Sequence, residues 1–506
     1  MLRWLRGGLL LSAAVGLAAA AGRVLGRGDD LRLRLSRRWP ACRGTLEGVY
    51  GGDEYSMFQR LRVERPRLRA TLITEKDRGE DWGDLVCGGV EYSGGPKAVV
   101  RSLSAGWLLV QLGSGLVLAH PGGWGGAGFT GYEKPPVLRT RLEPSTGAWG
   151  CEGQPLTGVG GRFSLGRVEL AVLQGLSWKD RSGDGLHRTP GEIDGRGWER
   201  EVLPAVRAVW GPLGATAAAG WSETDSGSTE WQRAGLDLEL RKGPFGLSGE
   251  VAAGRDTAGT STAFWAGPSH SGEGFRQAFL VFRTPEGFGE ERSSPALGEC
   301  RVGCRWGMRW RPAVATFVSA GLVCRVREEE DAWKAAAEVR RRLARGLDSS
   351  AGLRWTADEE GDSWRGVGSG SWEPSQLVRL SVKLQLTGWS DADSSERGSC
   401  AETRLRLRPR RWLSLRLGAA GFDTDGWRSR AYVAALAFPG EFGSTQVQGE
   451  GMVLQGAVSV EPREGLFLRG GVGVLRRQDA EALGSGYEET EGGSRTEASL
   501  QLDWSF

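Results

Sequence analysis

The C-terminal stretch Ala498-Ser499-Leu500-Gln501-Leu502-Asp503-Trp504-Ser505-Phe506 decides how this chain is read. Ala498, Leu500, Leu502, Trp504 and Phe506 alternate with Ser499, Gln501, Asp503 and Ser505. Successive side chains of a strand point to opposite faces, so this segment has one apolar and one polar face.

The same period of two runs upstream. Leu31, Leu33 and Leu35 alternate with Arg32, Arg34 and Ser36, and Leu236, Leu238 and Leu240 flank Asp237 and Glu239. Leu380, Val382, Leu384 and Leu386 alternate with Ser381, Lys383 and Gln385. Leu405 and Leu407 sit between Arg404, Arg406 and Arg408, and Leu413, Leu415 and Leu417 surround Ser414 and Arg416. A soluble sandwich packs its apolar faces into a dry core. A membrane barrel turns them to lipid and its polar faces to a wet lumen.

Three features favour the barrel. There are 22 Trp against 6 Tyr, and Trp107, Trp306, Trp310, Trp355, Trp412 and Trp504 lie near strand ends, where barrels carry aromatic girdles. The 81 glycines follow no collagen-like period. The alternation runs from Leu31 to Phe506 without a linker, and a closed sheet leaves no edge exposed in lipid. The expected fold is all-β: a large antiparallel transmembrane β-barrel, closed by the C-terminal strand. At about 9–11 residues per spanning strand plus turns, it should hold roughly 20–24 strands.

The N-terminus supplies an export signal. Arg3 and Arg6 precede an apolar stretch from Leu9 to Ala21 that ends in small residues. That is a secretory signal peptide, expected over residues 1–21, with one barrel domain over 22–506. Losing Arg3 and Arg6 lowers the formal charge from +3 to about +1, so no overall basic field points to nucleic acid. Lys179–Arg196, Glu286–Glu299 and Ser390–Ser399 read as outer loops. Glu328–Leu347 has helical propensity, yet the alternation of Ala351, Leu353 and Trp355 favours a hairpin starting near Ala337.

The seven cysteines, Cys42, Cys87, Cys151, Cys300, Cys304, Cys324 and Cys400, form no disulfide framework. Residues four apart on a strand lie about 13 Å apart, so Cys300 and Cys304 read as small lipid-facing residues and not a metal pair. Asp180, Asp184 and Glu192 surround His187, but only His120 and His270 accompany it, and no Gly-x-Ser-x-Gly or His-Glu-x-x-His element occurs. No catalytic residue, metal site or cofactor is therefore assigned, and an enzyme embedded in the barrel is disfavoured. The mixed-charge cluster Glu75, Lys76, Asp77, Arg78 and Glu80 reads as a structural turn in preference to an ion or substrate site. Arg404, Arg406 and Arg408 form an inward ladder with two readings. One favours anions or a phosphate backbone; the other, preferred because the net charge is near neutral, is internal pairing with acids such as Glu402 and Asp423.

Several segments resemble one family, the large barrels that commonly follow a competence-type helix-hairpin-helix segment in Gram-negative chains. Gly51–Tyr55 and Phe58–Arg62 are similar to its first hairpin, and Thr74-Glu75-Lys76-Asp77-Arg78-Gly79-Glu80 to its most distinctive motif. Leu112-Gly113-Ser114-Gly115-Leu116 resembles its Gly-Gln-Gly-Leu element, with Ser114 in place of Gln. Leu186-His187-Arg188-Thr189-Pro190-Gly191-Glu192 resembles its His-Arg-Thr loop, and Ser248-Gly249-Glu250-Val251-Ala252 its Gly-Glu-Val-Ala strand. The aromatic-Arg-Gly element is replaced by Leu156–Gly161, and the helix-hairpin-helix segment is absent.

The resemblance implies structural roles for Glu75, Lys76, Asp77, Gly79, Glu80, Gly113, Gly115, His187, Arg188, Thr189, Glu192 and Glu250. Trp504 and Phe506 resemble the terminal signal by which outer-membrane barrels are recognised, so barrel-assembly machinery and outer-membrane lipid are the expected partners. The function expected is a porin-like pore or scaffold in the cell outer membrane. DNA uptake or surface anchoring, with nucleic acid as partner, enters only through the resemblance. A receptor with a plug is disfavoured, because no plug-sized segment precedes the strands.

Overall fold

The computed structural model describes residues 29–39, 55–76, 85–119, 134, 136–145, 156–179, 199–224, 227–257, 259–285, 288, 300–326, 331–435, 437–439, 443–483 and 490–505. Every regular element among them is a strand. Twenty-four strands, from Asp30–Trp39 to Ser494–Ser505, pair antiparallel with their neighbours and close on themselves. Closure sets Leu31 opposite Trp504 and Leu33 opposite Leu502, so the terminal alternation meets its match in the first strand. Residues 1–21, where a signal peptide is expected, and Phe506 lie outside the described residues.

Side-chain exposure follows the period of two. On the strand Val378–Ser390, Val382 is 42% and Leu384 57% exposed, while Gln385 is 2% exposed. Outward residues such as Leu236, Val251, Leu353 and Leu417 form an apolar exterior. Trp210, Trp310, Trp372 and Trp412 are exposed near strand ends, as a girdle requires. Trp107 is not among them, because it packs inward against Phe58, Ile73 and Cys87.

The two mouths differ. Turns such as 211–212, 345–346 and 411–412 are short, and both ends of the barrel sheet lie at that mouth. At the opposite mouth paired strand ends are far apart in sequence, as Lys179 and Glu199 are, and Thr424 and Gly449.

Several expectations need correction. Ser390–Ser399 is not a loop: a tight turn at 391–394 joins two strands. The Asp391 carboxylate accepts the N–H groups of Asp393 at 2.8 Å and Ser394 at 2.7 Å, which hold it below the usual carboxylate range. The ambiguous helix-like segment is a strand hairpin, Ala332–Ala344 and Leu347–Asp358, starting five residues before Ala337. Its apolar and charged residues alternate across the wall, and this outweighs local helical propensity. Cys304 faces outward, but Cys87 and Cys400 are buried within lumen-side clusters. Asp423 is exposed on the outer face, so among the described residues Glu402 is the acid that pairs with the arginine ladder, at 2.7 Å from Arg404.

Candidate functional site in the occupied lumen

The strand Val100–Gly113 serves two sheets. Val100 to Trp107 pairs in the wall with Thr157 to Phe163. Leu108 to Gly113 turns inward and pairs with Arg139–Pro144, while Leu118–Ala119 adds a short third strand. The bend falls at Gly106, whose φ is +105 and whose notional Cβ would lie 2.2 Å from the Gly88 carbonyl oxygen. Only glycine fits there, because a side chain meets both strain and backbone.

The run Leu108–Ala119 is apolar with little alternation, as expected of a strand covered on both faces. Leu108, Val110, Leu112, Leu116, Val117 and Leu118 are all buried, packed with Leu173, Leu203, Trp265, Leu280 and Phe282 of the wall. Each such leucine contributes about 1.5–3 kcal/mol of apolar burial. The wall makes room with small inward residues: Ala205 lies opposite Ala218, and Ala252 opposite Ala263. A Cβ at Gly235 would lie 2.7 Å from Val117, and one at Gly160 would lie 2.4 Å from Leu142. Half of this barrel therefore has an apolar core inside it, formed by its own chain.

A polar latch fixes the tip of this inner sheet. Glu250 Oε2 accepts the backbone N–H of Ser114 at 2.7 Å, and Trp265 Nε1 donates to Ser114 Oγ at 2.8 Å. Beside them Arg207 donates to both carboxylate oxygens of Asp237, at 2.5 and 3.0 Å, with side-chain exposures of 3% and 5%. Arg207 also donates to Thr140 Oγ1 at 3.1 Å and Thr216 Oγ1 at 2.8 Å, joining inner sheet and wall. Gly113 has φ +74, and a Cβ on it would lie 2.9 Å from Glu250 Oε1.

A second insertion enters the other half of the lumen from 425–448. A short hairpin pairs Ala431–Val433 with Thr445–Val447. Lys383 Nζ donates to the Tyr432 carbonyl at 2.5 Å, and Glu402 Oε2 accepts the Ala434 N–H at 3.2 Å. Arg416 Nη1 donates to the Ala437 carbonyl at 3.2 Å, and Gln501 Nε2 to that of Pro439 at 3.3 Å. Phe438 sits beneath the Arg416 guanidinium, 5.9 Å from ring centre to charge.

Of the residues singled out from sequence, Gly113, Gly115 and Glu250 come together at the latch. Glu75 and Lys76 end the strand Leu68–Lys76 at the long-loop mouth, away from it. Asp77, Gly79, Glu80, His187, Arg188, Thr189 and Glu192 lie outside the described residues. Trp504 sits on the closing strand. Sequence reading missed Arg207, Thr140 and Trp265; the polar Arg207 within Val206–Val209 was the available signal.

No family model matches the chain, and no curated protein matches it. Among solved structures, the P pilus usher (PapC) translocation pore is similar at 10% identity, covering 95% of this chain and 99% of its own, with a TM-score of 0.42. A ferric enterobactin receptor (PfeA) of Pseudomonas aeruginosa matches at 8% identity over 95% of this chain and 81% of its own, with a TM-score of 0.45. An anion-selective porin from Comamonas acidovorans matches at 13% identity over 60% and 100%, with a TM-score of 0.32. At these values the function has to be read from this chain's own residues.

Proposed function

We propose that this chain is an integral outer-membrane β-barrel of a Gram-negative-type cell, acting as a pore whose lumen its own segments constrict. The observation that carries the reading is the inversion of faces. Leu236, Val251, Leu384 and Leu417 are exposed outside, while Arg207, Asp237, Lys383 and Glu402 face inward. Water would penalise that apolar exterior, whereas hydrocarbon accepts it, and closure satisfies every wall strand. By the usual asymmetry of such barrels, the short-turn mouth faces the periplasm and the long connections face outward.

The inner sheet (108–113, 118–119 and 139–144) and the 425–448 insertion narrow the passage from opposite sides. The constriction is thus supplied from within the barrel, by segments that connect its wall strands. The latch residues Gly113, Gly115 and Glu250 hold the inner sheet in place, and Trp504 with Phe506 serves recognition by barrel-assembly machinery. Expressed in a Gram-negative host, the protein should fractionate with outer membranes and change gel mobility on boiling. In planar bilayers it should give small conductance steps. Recovery as a soluble periplasmic protein without a mobility shift would overturn the barrel in the membrane, and a folded barrel that never conducts would leave a scaffold.

A further inference from the structure

The half of the lumen that the inner sheet leaves uncovered carries an unusual row of like charges. Arg379 lies directly opposite Arg406 across one strand pair, and Arg406 directly opposite Arg416 across the next. All three face inward. Like charges placed directly opposite one another oppose folding, so nothing about sheet stability accounts for the row. Below it, Arg406 and Arg416 line a cavity of about 1010 Å³ at the short-turn mouth, together with Arg408, Arg469, Phe438 and Phe467. Arg379 lines a second cavity of about 880 Å³ beside it.

Among the described residues, the acids nearest Arg406 make contacts of their own. Glu461 Oε1 accepts the Gly465 N–H at 3.3 Å, closing a turn. Asp503 is shared between Arg32 and Arg469. Glu402 serves Arg404 and Lys383, while Glu373 pairs with Arg379 at 3.9 Å at the edge of the row. Among the described residues no acid pairs with Arg406, and its Nε is buried without a hydrogen-bond partner. A buried guanidinium N–H left without an acceptor is costly. A ligand oxygen would remove that cost.

We propose that Arg379, Arg406 and Arg416 form a binding site for a phosphate-type oxyanion carried by a water-soluble solute entering from the short-turn mouth. The guanidinium fork matches two oxygens of such a group at once, and a confined lumen weakens screening by salt. Phe438 and Phe467 stand beside the arginines, where an apolar part of the solute can rest. Arg416 is held by the Ala437 carbonyl, so the 425–448 insertion pre-positions one arm of the site. The site belongs to the lumen of the proposed pore and names the class of solute that the pore would take.

The test is calorimetric titration of the full chain, folded in detergent, with inorganic pyrophosphate in a chloride buffer. Saturable binding is expected. Arg406→Gln should weaken it about tenfold or more, and Arg406→Lys, which keeps the charge but loses the fork, by less. Arg69→Gln, in a lumen position already paired with Glu64 and Glu91, should bind as the parent does. Gel mobility with and without boiling reports folding; if Arg406→Gln does not fold, the parent and the lysine variant decide. Absence of saturable binding by the parent, or equal binding by Arg406→Gln, overturns the site. Binding without conductance would defeat the pore and leave the site standing, and conductance without binding the reverse.

Discussion

Glu250 and Ser114 are 136 residues apart in the chain, and the carboxylate of the first accepts the backbone N–H of the second at 2.7 Å. One belongs to the wall strand Phe245–Asp256 and the other to the turn that follows the inner sheet's longest strand. The contact ties a lumen insertion to the wall at its tip, where a free hairpin would otherwise move. Gly113→Ala puts a methyl group 2.9 Å from Glu250 Oε1 at a backbone angle that disfavours any side chain. A cost of about 1–3 kcal/mol to the latched state is expected. In bilayers the variant should show larger or longer openings while its heat-dependent gel shift is retained. Unchanged conductance would separate the latch from the passage.

The Arg207–Asp237 pair lends itself to a double-mutant cycle. Both side chains are almost wholly buried, so Asp237→Ala leaves an uncompensated guanidinium and should cost about 3–5 kcal/mol. Replacing both, as Arg207→Met with Asp237→Leu, should recover most of that loss. Urea unfolding midpoints from lipid vesicles measure the cycle. A double variant as damaged as the single one would show that the contacts of Arg207 with Thr140 and Thr216 dominate.

Docking of the inner sheet depends on absent side chains. Gly235→Val would drive a Cβ into Val117, at 2.7 Å, and overpacking of this kind costs about 1–3 kcal/mol. The adjacent Leu236→Val, on the exposed outer face, should be nearly silent. Limited proteolysis of the folded barrel reads the difference, since a displaced sheet exposes the buried residues 114–119 to protease. Equal resistance of both variants would argue against a docked sheet.

The wall was legible because alternation is local: Leu31–Leu35, Leu380–Leu386 and Ala498–Trp504 each announce their own faces. The latch was half legible. Gly113, Gly115 and Glu250 stood out as motif residues, but nothing in their spacing says that two segments 136 residues apart meet. The inner sheet was hidden for a physical reason, since a strand buried on both faces loses its period of two, and Leu108–Ala119 reads as one apolar run. Its entry depends on a single conformational event at Gly106, one glycine among 81. The arginine row was visible as Arg404, Arg406 and Arg408 along one strand. That Arg379 and Arg416 lie abreast of Arg406 follows from strand register, which sequence does not carry.

The strand Val378–Ser390 offers the most direct check on the face assignment. Val382 and Leu384 are exposed outward, whereas Gln385 is buried inside and Lys383 reaches the Tyr432 carbonyl. Arg at Val382 or Leu384 should cost about 2–4 kcal/mol near the bilayer midplane. A soluble sandwich would also suffer from that change, so stability alone does not discriminate. Labelling does. In a background with the native cysteines replaced by Ala, single cysteines at 382 and 384 should react with a lipid-phase probe, and those at 383 and 385 should not. Lys383→Glu sets two carboxylates opposite each other and removes the donor to the Tyr432 carbonyl. It should therefore loosen the 425–448 insertion and shift selectivity towards cations, while the outward register stays as it is. Equal labelling of both sets by a water-soluble thiol reagent, without detergent, would show that neither face meets hydrocarbon, and the barrel register of this strand would have to be given up.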